Sequence, residues 1–152
     1  MQMTGSGLIS QALGLQASYL VLNGKAKDIL TMEIDRKVLI HTGLRQSSII
    51  ILSFAVEIAL RALLKFKFDD FPRTHDYRIL FKRLNEHDRS RLSEIYKGKT
   101  GSDITHYLNR KKNTFMAFGY LETGIDEPVN SDELNTVLDS IIECYNQLES
   151  NA

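Results

Sequence analysis

Apolar side chains recur along this chain at steps of three and four residues, the spacing that draws a stripe down a helix rather than one face of a strand. Leu8, Ala12, Leu15, Tyr19 and Leu22 form the first such stripe, and Asn23-Gly24 follows as a C-cap pair, so the pattern predicts a helix that ends there. Residues 25–40 mix charged and apolar positions in a way that fits either a helix or a connection. About residues 43–67 carry the strongest signal. Ile49, Ile50, Ile51, Leu52, Phe54, Val56, Ile58, Leu60, Leu63 and Leu64 make nearly every face apolar, which predicts the central, buried helix of a domain. Ser53, Glu57, Arg61 and Lys65 recur every four residues within it and draw one narrow polar stripe, with Glu57 spaced to pair with Arg61. That stripe is either the exposed edge of a core helix or the polar wall of a cleft.

Pro72 stops any helix from running through the next stretch, FPRTHDYRILFKRL. Thr74 is the expected N-cap of the helix that follows, and Asp76 in its first turn complements the positive helix end. Neither argument accounts for His75. Leu80, Phe81 and Leu84 give that helix an apolar side, opposite Arg78, Lys82 and Arg83. Residues 88–97 form a short segment, Gly98 and Gly101 bracket a turn, and Ser102 and Asp103 are capping candidates for a helix whose buried side is Ile104, Tyr107, Leu108, Phe115, Phe118 and Leu121. The last helix opens on Asn-Ser-Asp-Glu, an asparagine form of the capping box, and carries Leu134, Val137, Leu138, Ile141, Ile142, Tyr145 and Leu148. The expected architecture is all-α: an up-and-down bundle of five or six helices.

Composition narrows this picture. A chain of 152 residues with 43% apolar content suits one compact domain over residues 1–152. The single cysteine, Cys144, can form no internal disulfide and has no second cysteine to help hold zinc, which points to a reducing compartment and so to the cytoplasm. The start of the chain lacks a basic region ahead of an apolar stretch, so it does not read as a secretory signal. The longest apolar run is broken by Glu57 and Arg61, so no membrane span is expected. A net charge of zero hides an asymmetry: residues 1–60 carry +1, residues 61–112 carry +7 and residues 113–152 carry −8. A basic middle attracts phosphates, while an acidic C-terminal part can pair with it inside the fold or between subunits.

Few catalytic chemistries find support. No nucleophile elbow, Walker loop, zincin motif or paired cysteines occur, and His41, His75, His87 and His106 lack metal-ligand spacing, so neither a metal nor a cofactor is expected. The Arg110-Lys111-Lys112 run, with Tyr107 and Phe115 nearby, is either a solvated face or a set of phosphate contacts beside a stacking platform.

Three stretches in order, AVEIALRALLKF, THDYRILFKRL and NRKKNTFMAFGYLE, resemble the HEPN (higher eukaryote and prokaryote nucleotide-binding) domains. Glu57, Leu60, Arg61, Leu63 and Leu64 match the family's glutamate-bearing helix, His75 and Asp76 its His-Asp helix start, and Phe115, Phe118, Tyr120 and Glu122 loosely its aromatic segment. The resemblance covers about residues 50–122. It implies a homodimer, and its matched residues Glu57, Arg61 and His75 join the basic run of Arg110, Lys111 and Lys112 as the expected nucleotide- or RNA-binding residues. It also implies a bacterial defence or toxin-antitoxin-like system, with a cognate nucleotidyltransferase or antitoxin protein as partner.

Many HEPN proteins are metal-independent endoribonucleases marked by an arginine followed four to six residues later by a histidine. Such a pair can stabilise charge on the scissile phosphate and move protons near neutral pH. Here Arg110 is followed at 115, 116 and 117 by Phe, Met and Ala. His106 precedes Arg110 by four residues, the reverse order, and is a weak catalytic substitute. Arg36 and His41 satisfy the spacing formally but lie ahead of the matching region. The expectation is therefore a degenerate RNase site and a binding role. A non-catalytic helical dimerisation or protein-interaction module is the alternative.

Overall fold

The computed structural model describes residues 4–67, 73–110 and 130–151. Among these the chain is all-helical, with six helices and no strand: α1 (Gly5–Thr31), α2 (Lys37–Lys67), α3 (Tyr77–Arg83), α4 (Glu86–Thr100), α5 (Ile104–Arg110) and α6 (Ser131–Ser150). Residues 111–129, which hold Phe115, Phe118 and Leu121 of the predicted buried side, lie outside the described residues.

α1 and α2 form a long antiparallel hairpin. The first helix does not stop at Asn23-Gly24 but continues to Thr31, and the second begins at Lys37, several residues before the pattern of apolar positions suggests. A glycine inside a helix costs about 1 kcal/mol relative to alanine. Tertiary contacts beyond it offset that cost: Ala26 is 1% exposed, and the His41 ring donates through Nδ1 to the Ala26 carbonyl at 2.6 Å. His41 thus staples the hairpin, which gives it a structural role. Arg36 sits at the bend with φ of 58°, in left-handed backbone.

α2 is the central helix, as its apolar faces predict. Leu52, Ala55, Val56, Ala59, Leu60, Leu63 and Leu64 are buried in one continuous core with Leu8, Ile9, Ala12 and Tyr19 of α1. By length and composition α2 could cross a membrane, yet 72% of that stretch is buried inside the bundle, as in a core helix. α6 packs on α2 through Leu134, Val137, Leu138, Ile141, Cys144, Tyr145 and Leu148. Full burial of each large apolar side chain is worth about 1.5–3 kcal/mol. Gly5 allows a close approach where α1 meets α6: a Cβ there would stand 3.0 Å from the Tyr145 hydroxyl, which would have to give by a few tenths of an ångström. Gln16 bridges the same two helices, donating to Asn135 at 2.9 Å and Asp139 at 2.7 Å.

The helix ends follow from their side chains. Asn130 accepts from the amides of Asp132 and Glu133 at the start of α6, the cap its sequence predicts. Asn85 caps α4 by accepting from the Asp88 amide at 2.9 Å, and α4 ends on Gly101 with φ of 73°, a left-handed C-cap. Two ion pairs join the basic middle of the chain to its acidic last helix: Lys99 to Glu143 at 2.8 Å and Arg110 to Glu133 at 3.0 Å. The charge asymmetry is thus partly neutralised within the fold.

Candidate functional site

The polar stripe on α2 is not an exposed edge. Ser53 is fully buried and Glu57 is 2% exposed, because this face is covered by α3 and the residues that lead into it. A buried carboxylate must be paired to persist, and Glu57 is paired twice. Arg61, one turn along the helix, donates from Nε to Oε1 at 2.9 Å, and His75 donates from Nδ1 to Oε2 at 2.7 Å. Arg61 also donates from its guanidinium to the Thr74 carbonyl at 2.7 Å. One carboxylate and one guanidinium on α2 therefore hold both Thr74 and His75. The His75 side chain is 46% exposed while its Nδ1 edge is bound, which gives the histidine the local reason the sequence did not supply.

The start of α3 differs from the sequence-based assignment by one role. Asp76 is the N-cap, accepting from the Arg78 amide at 2.9 Å, and Thr74 instead accepts from the Asp76 amide at 3.1 Å. Arg78 closes over the Asp76 carboxylate with two further bonds. Partial burial raises the Asp76 pKa, but the hydrogen bonds and charge of Arg78 outweigh it and hold the carboxyl below its ordinary value.

Behind this cluster lie three tyrosines. Tyr77 donates to the Ser53 carbonyl at 2.8 Å, and Tyr96 and Tyr107 meet with ring centroids 6.4 Å apart. Burial pushes the Tyr77 phenol far above its ordinary range against the pull of the Ser53 bond, with the Glu57 charge adding to the rise. Burial does the same to Tyr107, whose hydroxyl has no hydrogen-bond partner among the described residues.

The structure brings Glu57, Arg61 and His75 together and sends Arg110 elsewhere, to Glu133 on α6. His106 is exposed one turn before Arg110 on α5, near Asp103. Lys111 and Lys112 lie outside the described residues. Of the nucleotide- or RNA-binding residues expected from sequence, the described ones are thus split between two places.

A groove the sequence reading missed lies between α3, α4 and α5, with a volume of about 280 Å³. Arg78 and Lys82 reach it from α3, Arg89 from α4, and Asn109 from α5, over an apolar floor of Phe81 and Leu108. The only sequence signal for it is the i, i+3, i+4 spacing of residues 78, 81 and 82, matched by 105, 108 and 109.

No curated protein and no solved structure matches the chain. A family model described as HEPN domain matches residues 34–110, half of the chain, from the bend before α2 to the end of α5. The match takes in the Glu57, Arg61 and His75 cluster and the groove, and it also includes Arg36 and His41, which the motif stretches had placed ahead of the matching region; with it the chain belongs to the HEPN family, a class of domain of nucleotide- or RNA-binding type.

Proposed function

We propose that this HEPN domain binds a nucleotide or RNA without cleaving it, as a cytoplasmic component of a bacterial defence or toxin-antitoxin-like system whose RNase site has degenerated. The observation that carries this reading is the state of Arg110. Its guanidinium is held by Glu133 at 3.0 Å, and no histidine occupies positions 115, 116 or 117 to move a proton beside it. General acid-base help is worth about 100- to 10,000-fold, so its loss leaves a site able to bind phosphate but poor at breaking the ester. In such a system a nucleotidyltransferase or antitoxin protein is the expected partner.

A labelled-RNA assay in EDTA tests the proposal. The wild-type protein should leave the RNA intact while retaining it in a salt-sensitive complex. Robust cleavage that disappears in His106→Ala would overturn the reading and make His106 with Arg110 an active site in reversed order.

A second reading, a homodimerisation or protein-interaction module, draws on a different observation. The far end of the α1–α2 hairpin exposes Leu20, Val21, Leu30, Met32, Val38 and Leu39, the last at 70%. Apolar side chains concentrated at one end of a bundle favour association over solvation.

A further inference from the structure

We infer that the groove between α3, α4 and α5 is where the phosphate sits: it takes the phosphate and adjoining planar ring of one nucleotide, free or at the end of an RNA strand. The inference rests on the nucleotide- or RNA-binding reading above and moves the binding site away from Glu57, whose partners are already committed to the fold. Three cations border the groove and, among the described residues, no carboxylate lines it. Two acids bonded to its lining residues are turned to other work. Asp76 accepts from Arg78 and caps α3, and Asp103 accepts from the Thr105 amide and hydroxyl at 2.7 Å each.

The three cations are held differently, and the difference suits an anion. Arg89 donates from its guanidinium to the Lys82 carbonyl at 2.9 Å, which fixes it against the end of α3 while the rest of its charge faces the groove. Arg78 is anchored on Asp76. Lys82 is exposed, and its ammonium has no partner among the described residues. With the Arg78 fork closed on Asp76, the donors left for a ligand are those of the positioned Arg89 guanidinium and the exposed Lys82 ammonium, a planar group and a point charge of the kind that recognise phosphate oxygens. The floor of Phe81 and Leu108, together with the Asn109 amide, offers an apolar surface and a hydrogen-bonding edge beside that charge, as a nucleobase requires and an inorganic anion does not. At about 280 Å³ the space lies at the small end of ligand sites, enough for one nucleotide unit and too little for a duplex.

The test measures binding of two probes to the full chain at low salt: a fluorescent N-methylanthraniloyl adenosine monophosphate and a short oligouridylate with or without a 5′-phosphate. Lys82→Glu is the diagnostic variant, because that side chain is exposed and supports no other group, and circular dichroism verifies its fold. Binding should weaken by about 10- to 100-fold, the scale of losing a charge-assisted hydrogen bond. Binding of the adenosine probe alone assigns a free nucleotide, and preference for the 5′-phosphorylated strand assigns an RNA end. Binding unchanged in Lys82→Glu but lost when Arg110, Lys111 and Lys112 are all changed to Gln would overturn the groove and leave the binding reading standing. Displacement of the probes by polyglutamate at equal charge would overturn it in favour of an acidic peptide. No binding of either probe by the wild type would overturn both.

Discussion

The Glu57 carboxylate and the His75 imidazole, eighteen residues apart in the chain, meet at 2.7 Å, with the acid buried and the base half exposed. The acid belongs to the core helix and the base to the connection ahead of α3, so the pair fastens a loop to the core. Glu57→Ala removes both anchors at once and strands Arg61 with only part of its bonding. The expected loss of stability is about 3 kcal/mol, the low end for breaking a buried pair because Arg61 keeps some contact with water. His75→Ala should cost only about 1 kcal/mol, since the imidazole is half solvated. Urea denaturation of both variants measures the difference, and equal losses would contradict the asymmetry.

Alkaline pH should unfold the protein. In the unfolded chain tyrosine phenols titrate near pH 10, whereas burial raises those of Tyr77 and Tyr107 in the native state. Above that pH the unfolded chain releases protons the native state keeps. The stability from keeping these phenols neutral is present below about pH 10 and is lost as pH rises toward the native values. Phenolate absorbance should therefore show some tyrosines titrating only together with the loss of helical circular dichroism.

Leu60 is 1% exposed at the centre of α2, so Leu60→Ala leaves a cavity and should cost about 2–5 kcal/mol. Asn130→Ala removes the side chain that accepts two amides at the start of α6 and should cost about 1 kcal/mol. Thermal melts of the two variants should rank in that order.

Val38 and Leu39 are 65% and 70% exposed, so replacing both with Asp should hardly change the melting temperature of a monomer. If the hairpin end joins two copies, the same change converts a dimer to a monomer in light scattering at micromolar concentration. A wild-type protein that is already a monomer under those conditions would remove the dimer proposal.

What the sequence made legible, and what it did not, divides along solvent contact. α6 has water along one side, so its apolar residues fall into a clean stripe from Leu134 to Leu148 behind a capping asparagine. The interior position of α2 was equally readable, because nearly all its faces are apolar. The end of α1 was not, since Asn23-Gly24 is a local stop signal overridden by distant contacts at Ala26 and His41. Asp76 takes the N-cap expected of Thr74 because both can cap, and the choice goes with the bonds of Arg61 to Thr74 and of Arg78 to Asp76. The cluster of Glu57, Arg61 and His75 was legible through the family motifs. The groove was not, because its cations belong to two helices and its polar edge to a third.

The position of α6 bears on how the protein is made. It supplies the buried side chains that cover one face of α2, yet it is translated more than sixty residues after α2 ends at Lys67. Elongation at roughly 5–20 residues per second separates the two by several seconds, while helices form within about a microsecond. A nascent chain therefore carries a formed, strongly apolar α2 with α1 beside it and its α6 face open, and the ribosome sets how long that surface is at risk of aggregation.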